Sequence, residues 1–196
     1  MKESFVFLAE GFEEVEALTP VDVLRRAGMP VRTVSVTSSR QVTSSHGVSV
    51  IADVIYDNTL FSDPAWLILP GGMPGATHLH EFAPLQGLLK AQLASRHGRI
   101  AAICASPGVV LGQLGLLKGR KATCYPGFEH LMTGAQYVDE RVVGDDKFVL
   151  GNGPSSALLW ALRIVADTLG EQAMNKVANG MLLYPEENAS LANYFG

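Results

Sequence analysis

Short β-type runs recur along this chain with helical stretches between them, and that alternation limits the fold more than any other feature. The runs at 5–9, 66–69 and 99–103 are apolar at almost every position. A strand without polar alternation is one covered on both faces, as in a parallel sheet packed between helices. Strands and helices in turn imply an α/β fold with a largely parallel sheet and right-handed crossovers. Residues 31–37 and 121–125 add two further strands, and 41–52 a short hairpin carrying His46-Gly47. Two more strands fall within 137–150, joined by the turn 144–147.

The helices have recognisable punctuation. One spans 13–27 and is closed by Gly28 before Pro30. Pro20 inside it removes the bond to the Glu16 carbonyl, so the spacing predicts either a kink or a restart with Thr19 as N-cap. Helix in pieces follows Gly75 through 94, and another runs from Pro107 to about 117. Residues 155–169 form a nearly all-round apolar helix that must be deeply packed. A helix from 171 to about 183 and a polar tail close the chain.

With 196 residues and no linker or repeat, the chain is expected to be one domain, 1–196. Charged residues make up 17%, below the roughly 25% of average proteins, while 47% are hydrophobic. This excludes a disordered chain and implies surface covered by another subunit. Lys and Arg number 15 against 19 Asp and Glu, which provides no basic stripe for nucleic acid and no polybasic membrane patch. No run approaches the roughly 20 apolar residues of a membrane span, and the N-terminal run is too short for a secretory signal. A soluble cytoplasmic protein with reduced thiols is expected. Two cysteines make neither a disulfide scaffold nor a four-thiolate zinc site.

In open α/β sheets, ligands bind beyond the carboxyl ends of the strands. Glu10-Gly11, Gly71-Gly72, Cys104 and Tyr125 all fall there. Cys104 sits between an apolar strand and Ala105-Ser106-Pro107, a strand-to-helix turn. Free amides and the positive helix end favour its thiolate and are expected to lower its pKa. An inert cysteine ending a core strand is the competing reading. Gly71-Gly72 lets the backbone approach a ligand, and the Gly72 and Ala105 amides could hold an oxyanion together. A tight turn explains the pair equally well. Glu13, Glu14 and Glu16 follow the first strand; one of them, if enclosed, would keep its proton, whereas acids also simply complement a helix N-terminus. The five histidines show no paired Cys-His spacing, so no metal or other cofactor is expected. Cys124 reads as packing at the end of its own strand. Residues 151–156, with Asn152 and Pro154, read as a helix-entry turn bordering the site, lacking the lysine of a P-loop.

Five segments together resemble the DJ-1/ThiJ/PfpI family, in its DJ-1-like, parkinsonism-associated deglycase branch. They are Glu13-Glu14-Val15-Glu16, the stretch 20–28, Leu69-Pro70-Gly71-Gly72, Ala101-Ala102-Ile103-Cys104-Ala105, and Gly153-Pro154 before the long helix. The resemblance covers nearly the whole chain. It implies a flavodoxin-like three-layer sandwich of the class I glutamine amidotransferase type, and a homodimer. It implies a reactive Cys104 on a strained turn, a protonated Glu16 bonded to its sulfur, and oxyanion amides at Gly72 and Ala105, with Gly71, Tyr125, Asn152 and Pro154 lining the site. Family activities include glutathione-independent glyoxalase, deglycase, and oxidative-stress protein whose cysteine becomes a sulfinate.

The chain departs from the pattern at informative places. Members with a site histidine have it where this chain has Tyr125, and a phenol is a poor proton shuttle near neutral pH. The family's hairpin arginine is His46, and peripheral cysteines of some relatives are Ser44 and Ile51. Two functions follow. One is a glyoxalase or deglycase acting on a small carbonyl substrate of the methylglyoxal type. The other is a non-catalytic redox sensor or chaperone-like stress protein that meets an oxidant at Cys104. A cysteine peptidase fits worse, because its histidine would follow the cysteine where Ala105 stands. An amidotransferase triad needs a downstream histidine with a nearby acid, and the last histidine is His130.

Overall fold

A computed structural model of the chain describes residues 1–183, so the polar tail lies outside the described residues. The first half contains β1 (Ser4–Leu8), α1 (Glu14–Arg26), β2 (Val31–Ser35), β3 (Gln41–Thr43), β4 (Ser49–Ile51), β5 (Val54–Ile55) and β6 (Trp66–Leu69). There follow α2 (Gly75–Glu81), α3 (Ala83–Ala94) and β7 (Arg99–Ile103). The second half holds β8 (Lys121–Ala122), β9 (Gln136–Tyr137), β10 (Val142–Gly144), β11 (Phe148–Gly151), α4 (Ala157–Leu169) and α5 (Glu171–Gly180). The main sheet has the order β10-β11-β7-β6-β1-β2-β5 and is parallel except for the β10–β11 pair at one edge. β3–β4 is the expected antiparallel hairpin.

The uninterrupted apolar strands are explained by the two-residue period of a strand. Val6, Leu8, Ile68, Ala101, Ile103 and Val149 face one layer, against α1 and α4. Their neighbours Phe5, Phe7, Leu67, Leu69, Ile100 and Ala102 face the other, against Leu79 of α2 and Leu85 and Leu89 of α3. Both faces of these central strands are packed, which keeps the runs apolar. The register pairs Leu69 with Ala102 and Ile103 with Gly151. The segments after β6, β7 and β11 therefore leave the sheet side by side at one edge.

Several elements differ from expectation. Helix α1 passes through Pro20 without restarting, and its N-cap is Glu13, whose carboxylate accepts from the Glu16 amide at 2.7 Å. Only one ladder bond is lost at Pro20, and its buried ring packs in the α1 layer. The helix expected from Pro107 is a π-helical turn over Pro107–Gly112, followed by irregular turns. The strand expected over 121–125 ends at Ala122 and pairs with β9 in a separate two-stranded sheet. Cys124 and Tyr125 lie in the loop beyond, because the Tyr125 amide is drawn to the Cys104 carbonyl at 2.8 Å. Tyr137 accordingly belongs to that small sheet and not to the hairpin of β10 and β11.

Candidate active site

Cys104 follows β7 directly and holds φ at +64°, in the left-handed region that side chains with a Cβ avoid. Its amide donates to the Gly151 carbonyl at 2.9 Å and its carbonyl accepts from Tyr125, so neighbours on both sides hold the bend. Only 8% of the residue is exposed. The amides of Gly72 and Ala105 donate toward the sulfur. The buried Ser106 hydroxyl donates to the Pro70 carbonyl at 2.6 Å, tying this turn to the one after β6.

That second turn is built from backbone alone. Gly72 has φ +86°, and a Cβ there would meet the Glu13 amide nitrogen at 2.4 Å. At Gly71 a Cβ would lie 2.7 Å from the Cys104 Cβ and 2.8 Å from Glu16 Oε2. Two glycines thus let the loop slide between α1 and the cysteine. Gly71 accepts the Glu13 amide at 3.0 Å and donates its own N–H to Glu16 Oε2 at 2.8 Å. The first turn of α1 is pinned to the β6 loop by this exchange, which directs a fully buried carboxyl at the cysteine.

Glu16 Oε1 is buried without an oxygen or nitrogen partner. Burial, reinforced by the Glu13 charge, raises the Glu16 pKa to about 7, against the opposing pull of the Gly71 N–H and the Cys104 side chain. Burial also pushes the Cys104 thiol up to about 12, with the charge of Glu16 adding to it. The Gly72 and Ala105 amides pull the other way and are outweighed. The expected lowering of the thiol pKa is therefore corrected: the helix-end amides are present, but desolvation in this closed turn is the larger effect. Each of the two groups shifts the other, so Cys104 and Glu16 titrate as a pair.

Cys104, Glu16, Gly71, Gly72 and Ala105 thus come together from three separate parts of the chain. Tyr125 reaches Cys104 through its amide, and its side chain stays half-exposed. Pro154 opens the short 3-10 turn Pro154–Ser156 that leads into α4. The Asn152 carboxamide oxygen accepts from the Ser156 hydroxyl at 2.7 Å, inside that turn. Cys104 and Cys124 are both free thiols, and they pack in opposite layers of the sheet. Ser106 escaped the sequence reading, although a small hydroxyl between a nucleophile candidate and a proline was a usable signal. His46, on the hairpin, is exposed, and its Nδ1 lies 3.1 Å from the Glu14 carboxylate. Glu13, Glu14 and His46 place one ligand atom each within 4.8 Å of one another, a cation-sized grouping at the α1 N-terminus.

A buried cysteine on a left-handed bend, facing two amides and a proton-holding carboxyl, defines a class of α/β proteins with a cysteine–carboxyl pair at the sheet edge. The chain belongs to the DJ-1/PfpI family, whose model matches residues 2–167, and to its DJ-1-like branch with the flavodoxin-like fold. Protein DJ-1 homolog B of Arabidopsis thaliana is 36% identical over 94% of this chain, which spans only 42% of that relative's length. Glutathione-independent glyoxalase DJR-1.2 of Caenorhabditis elegans is 34% identical, covering 89% of this chain and 92% of that protein. The structure of oxidized Toxoplasma gondii DJ-1 matches with a TM-score of 0.88 at 37% identity, covering 93% of this chain and 98% of the other.

Proposed function

We propose that the protein is a stress protein that converts α-oxoaldehydes such as methylglyoxal to 2-hydroxy acids without glutathione. The observation that carries this reading is the buried Glu16 carboxyl coupled to the Cys104 thiol. Near neutral pH the Glu16 carboxylate takes the thiol proton as sulfur bonds to the aldehyde carbon, and the carbonyl pair moves to oxygen beside the Gly72 and Ala105 amides. Glu16 passes that proton to the new oxygen, and as a carboxylate again it takes the proton of the hemithioacetal carbon and returns it to the adjacent carbonyl carbon, while the hydroxyl proton moves to the neighbouring oxygen to leave a 2-hydroxy thioester. One carbon is oxidised and its neighbour reduced, so no outside oxidant is needed. Water hydrolyses the resulting thioester and restores the thiol. Deglycation of early carbonyl adducts would draw on the same nucleophile. The glyoxalase name of the Caenorhabditis elegans relative supports the assignment. Cys104→Ser is expected to lower methylglyoxal turnover by about a hundredfold or more; undiminished turnover overturns the reading.

A second reading rests on Tyr125 standing where a proton-shuttling imidazole would be. Here Cys104 is a redox sensor, oxidised by peroxide to the sulfinate, whose oxygen the Glu16 proton holds. The Toxoplasma gondii relative, described as oxidized, supports it. Peroxide titration read by intact mass should add two oxygens at Cys104 ahead of Cys124 and the methionines. We also propose a cytoplasmic homodimer. Val15 and Leu18 of α1 and Val48 and Ile51 of the hairpin region are exposed apolar side chains, and the hairpin is tied to the start of α1 by the Ser45 amide on the Phe12 carbonyl.

A further inference from the structure

We propose that Tyr125 selects substrates at Cys104, favouring α-oxoaldehydes with a flat aromatic substituent over small aliphatic ones. The inference rests on Cys104 being the nucleophile and deepens that reading to a substrate class. The strand order β11-β7-β6 places Cys104 between two unlike walls. On the β6 side stand the polar groups: the Gly72 amide at the sulfur and the Gly71 amide holding Glu16. A carbonyl oxygen held by the Gly72 and Ala105 amides occupies that side, so the substituent on the carbonyl carbon is directed to the other.

The other side is made by the chain leaving β11 and by Tyr125. Cys104 bonds to Gly151 through its amide and to Tyr125 through its carbonyl, so both flank it. A Cβ on Gly153 would lie 3.3 Å from Tyr125 Cδ2, tight enough that the ring would have to give way. Glycine at 153 therefore lets the ring lie close against the backbone. Tyr125 as a residue is 46% exposed, so it keeps accessible surface at the edge where ligands enter such sheets. An aromatic face of this kind offers offset or edge-on packing to another ring and nothing comparable to a methyl group.

The test measures two quantities in the wild type, Tyr125→Ala and Tyr125→Phe. The first is the ratio of kcat/KM for phenylglyoxal over methylglyoxal. The second, independent of turnover, is the ratio of alkylation rates at Cys104 by iodoacetanilide over iodoacetamide, followed by mass. Both ratios should fall about three- to tenfold in Tyr125→Ala, the range of an aromatic pair, and persist in Tyr125→Phe. Ratios unchanged in Tyr125→Ala overturn the proposal. So does an equal fall in Tyr125→Phe, which would assign the effect to the hydroxyl. A Cys104 that takes neither reagent in the folded protein also overturns it, since no accessible wall would adjoin the sulfur. Absent turnover with an intact alkylation ratio would sink the glyoxalase reading and leave the role of Tyr125 standing.

Discussion

A left-handed backbone at a cysteine carries a conformational cost that only the surrounding bonds sustain. At φ +64°, Cys104 is about 1–2 kcal/mol worse than the same residue in an ordinary region. Glycine has no such cost, so Cys104→Gly should match or exceed Cys104→Ala in stability by about 1 kcal/mol, the reverse of their usual order. Urea denaturation of the two variants checks this. Glu16 gives a second expectation. Its pKa is 4.5 unfolded and about 7 folded, so its proton is held more tightly in the native state. The stability this contributes is complete below pH 4.5, declines as pH rises to about 7, and is absent above. Stability of Glu16→Gln relative to wild type should thus improve by on the order of 3 kcal/mol from pH 4 to pH 8. A difference independent of pH would mean that burial does not hold this proton. For catalysis the sign is opposite: kcat/KM should rise with pH through an apparent pKa of about 7, belonging to the Cys104–Glu16 pair. A flat profile from pH 5.5 to 8.5 would remove Glu16 as the base.

Helix α4 braces the sheet edge that carries Cys104. Its Trp160 is fully buried, and the indole N–H donates to the Val149 carbonyl of β11 at 2.9 Å. β11 in turn bonds to β7 and to the Cys104 amide. Trp160→Ala should cost about 3–5 kcal/mol, read as a lower midpoint in chemical denaturation. The segment after Cys104 shows the limits of local pattern. Its apolar residues have helical spacing, yet Pro107–Gly112 winds as a π turn, with Val110 and Leu111 in the layer of α2 and α3 and Val109 in that of α1 and α4. A wider turn reaches both layers where an α-helix presents one stripe.

The assembled molecule buries its apolar strands on two faces and still leaves Val15, Leu18, Val48 and Ile51 in solvent. Among the described residues no helix is long and apolar enough to cross a membrane. The homodimer proposed above would bury these apolar side chains on α1 and beside the hairpin. Sedimentation equilibrium should give twice the chain mass, and Leu18→Glu should shift it to the monomer while leaving Cys104 in place. A wild-type monomer at tens of micromolar would count against the homodimer.

The strand-helix alternation, the double-sided burial, the hairpin and the position of Cys104 at a strand end were all legible in the residues. Each depends on local periodicity or on a turn, which neighbours in sequence control. Glu13, Glu14 and Glu16 were not separable by spacing; the resemblance pointed to Glu16. In the fold, Glu13 caps α1, Glu14 meets His46, and Glu16 alone is fully buried against Gly71 and the thiol. Whether a helix end would lower the thiol pKa was equally beyond local reading. The amides come with the turn, but desolvation depends on every layer packed around it, and it won. Tyr125 was misplaced in a strand for the same reason: its position is set by a bond to Cys104, from a part of the chain that local pattern does not contain.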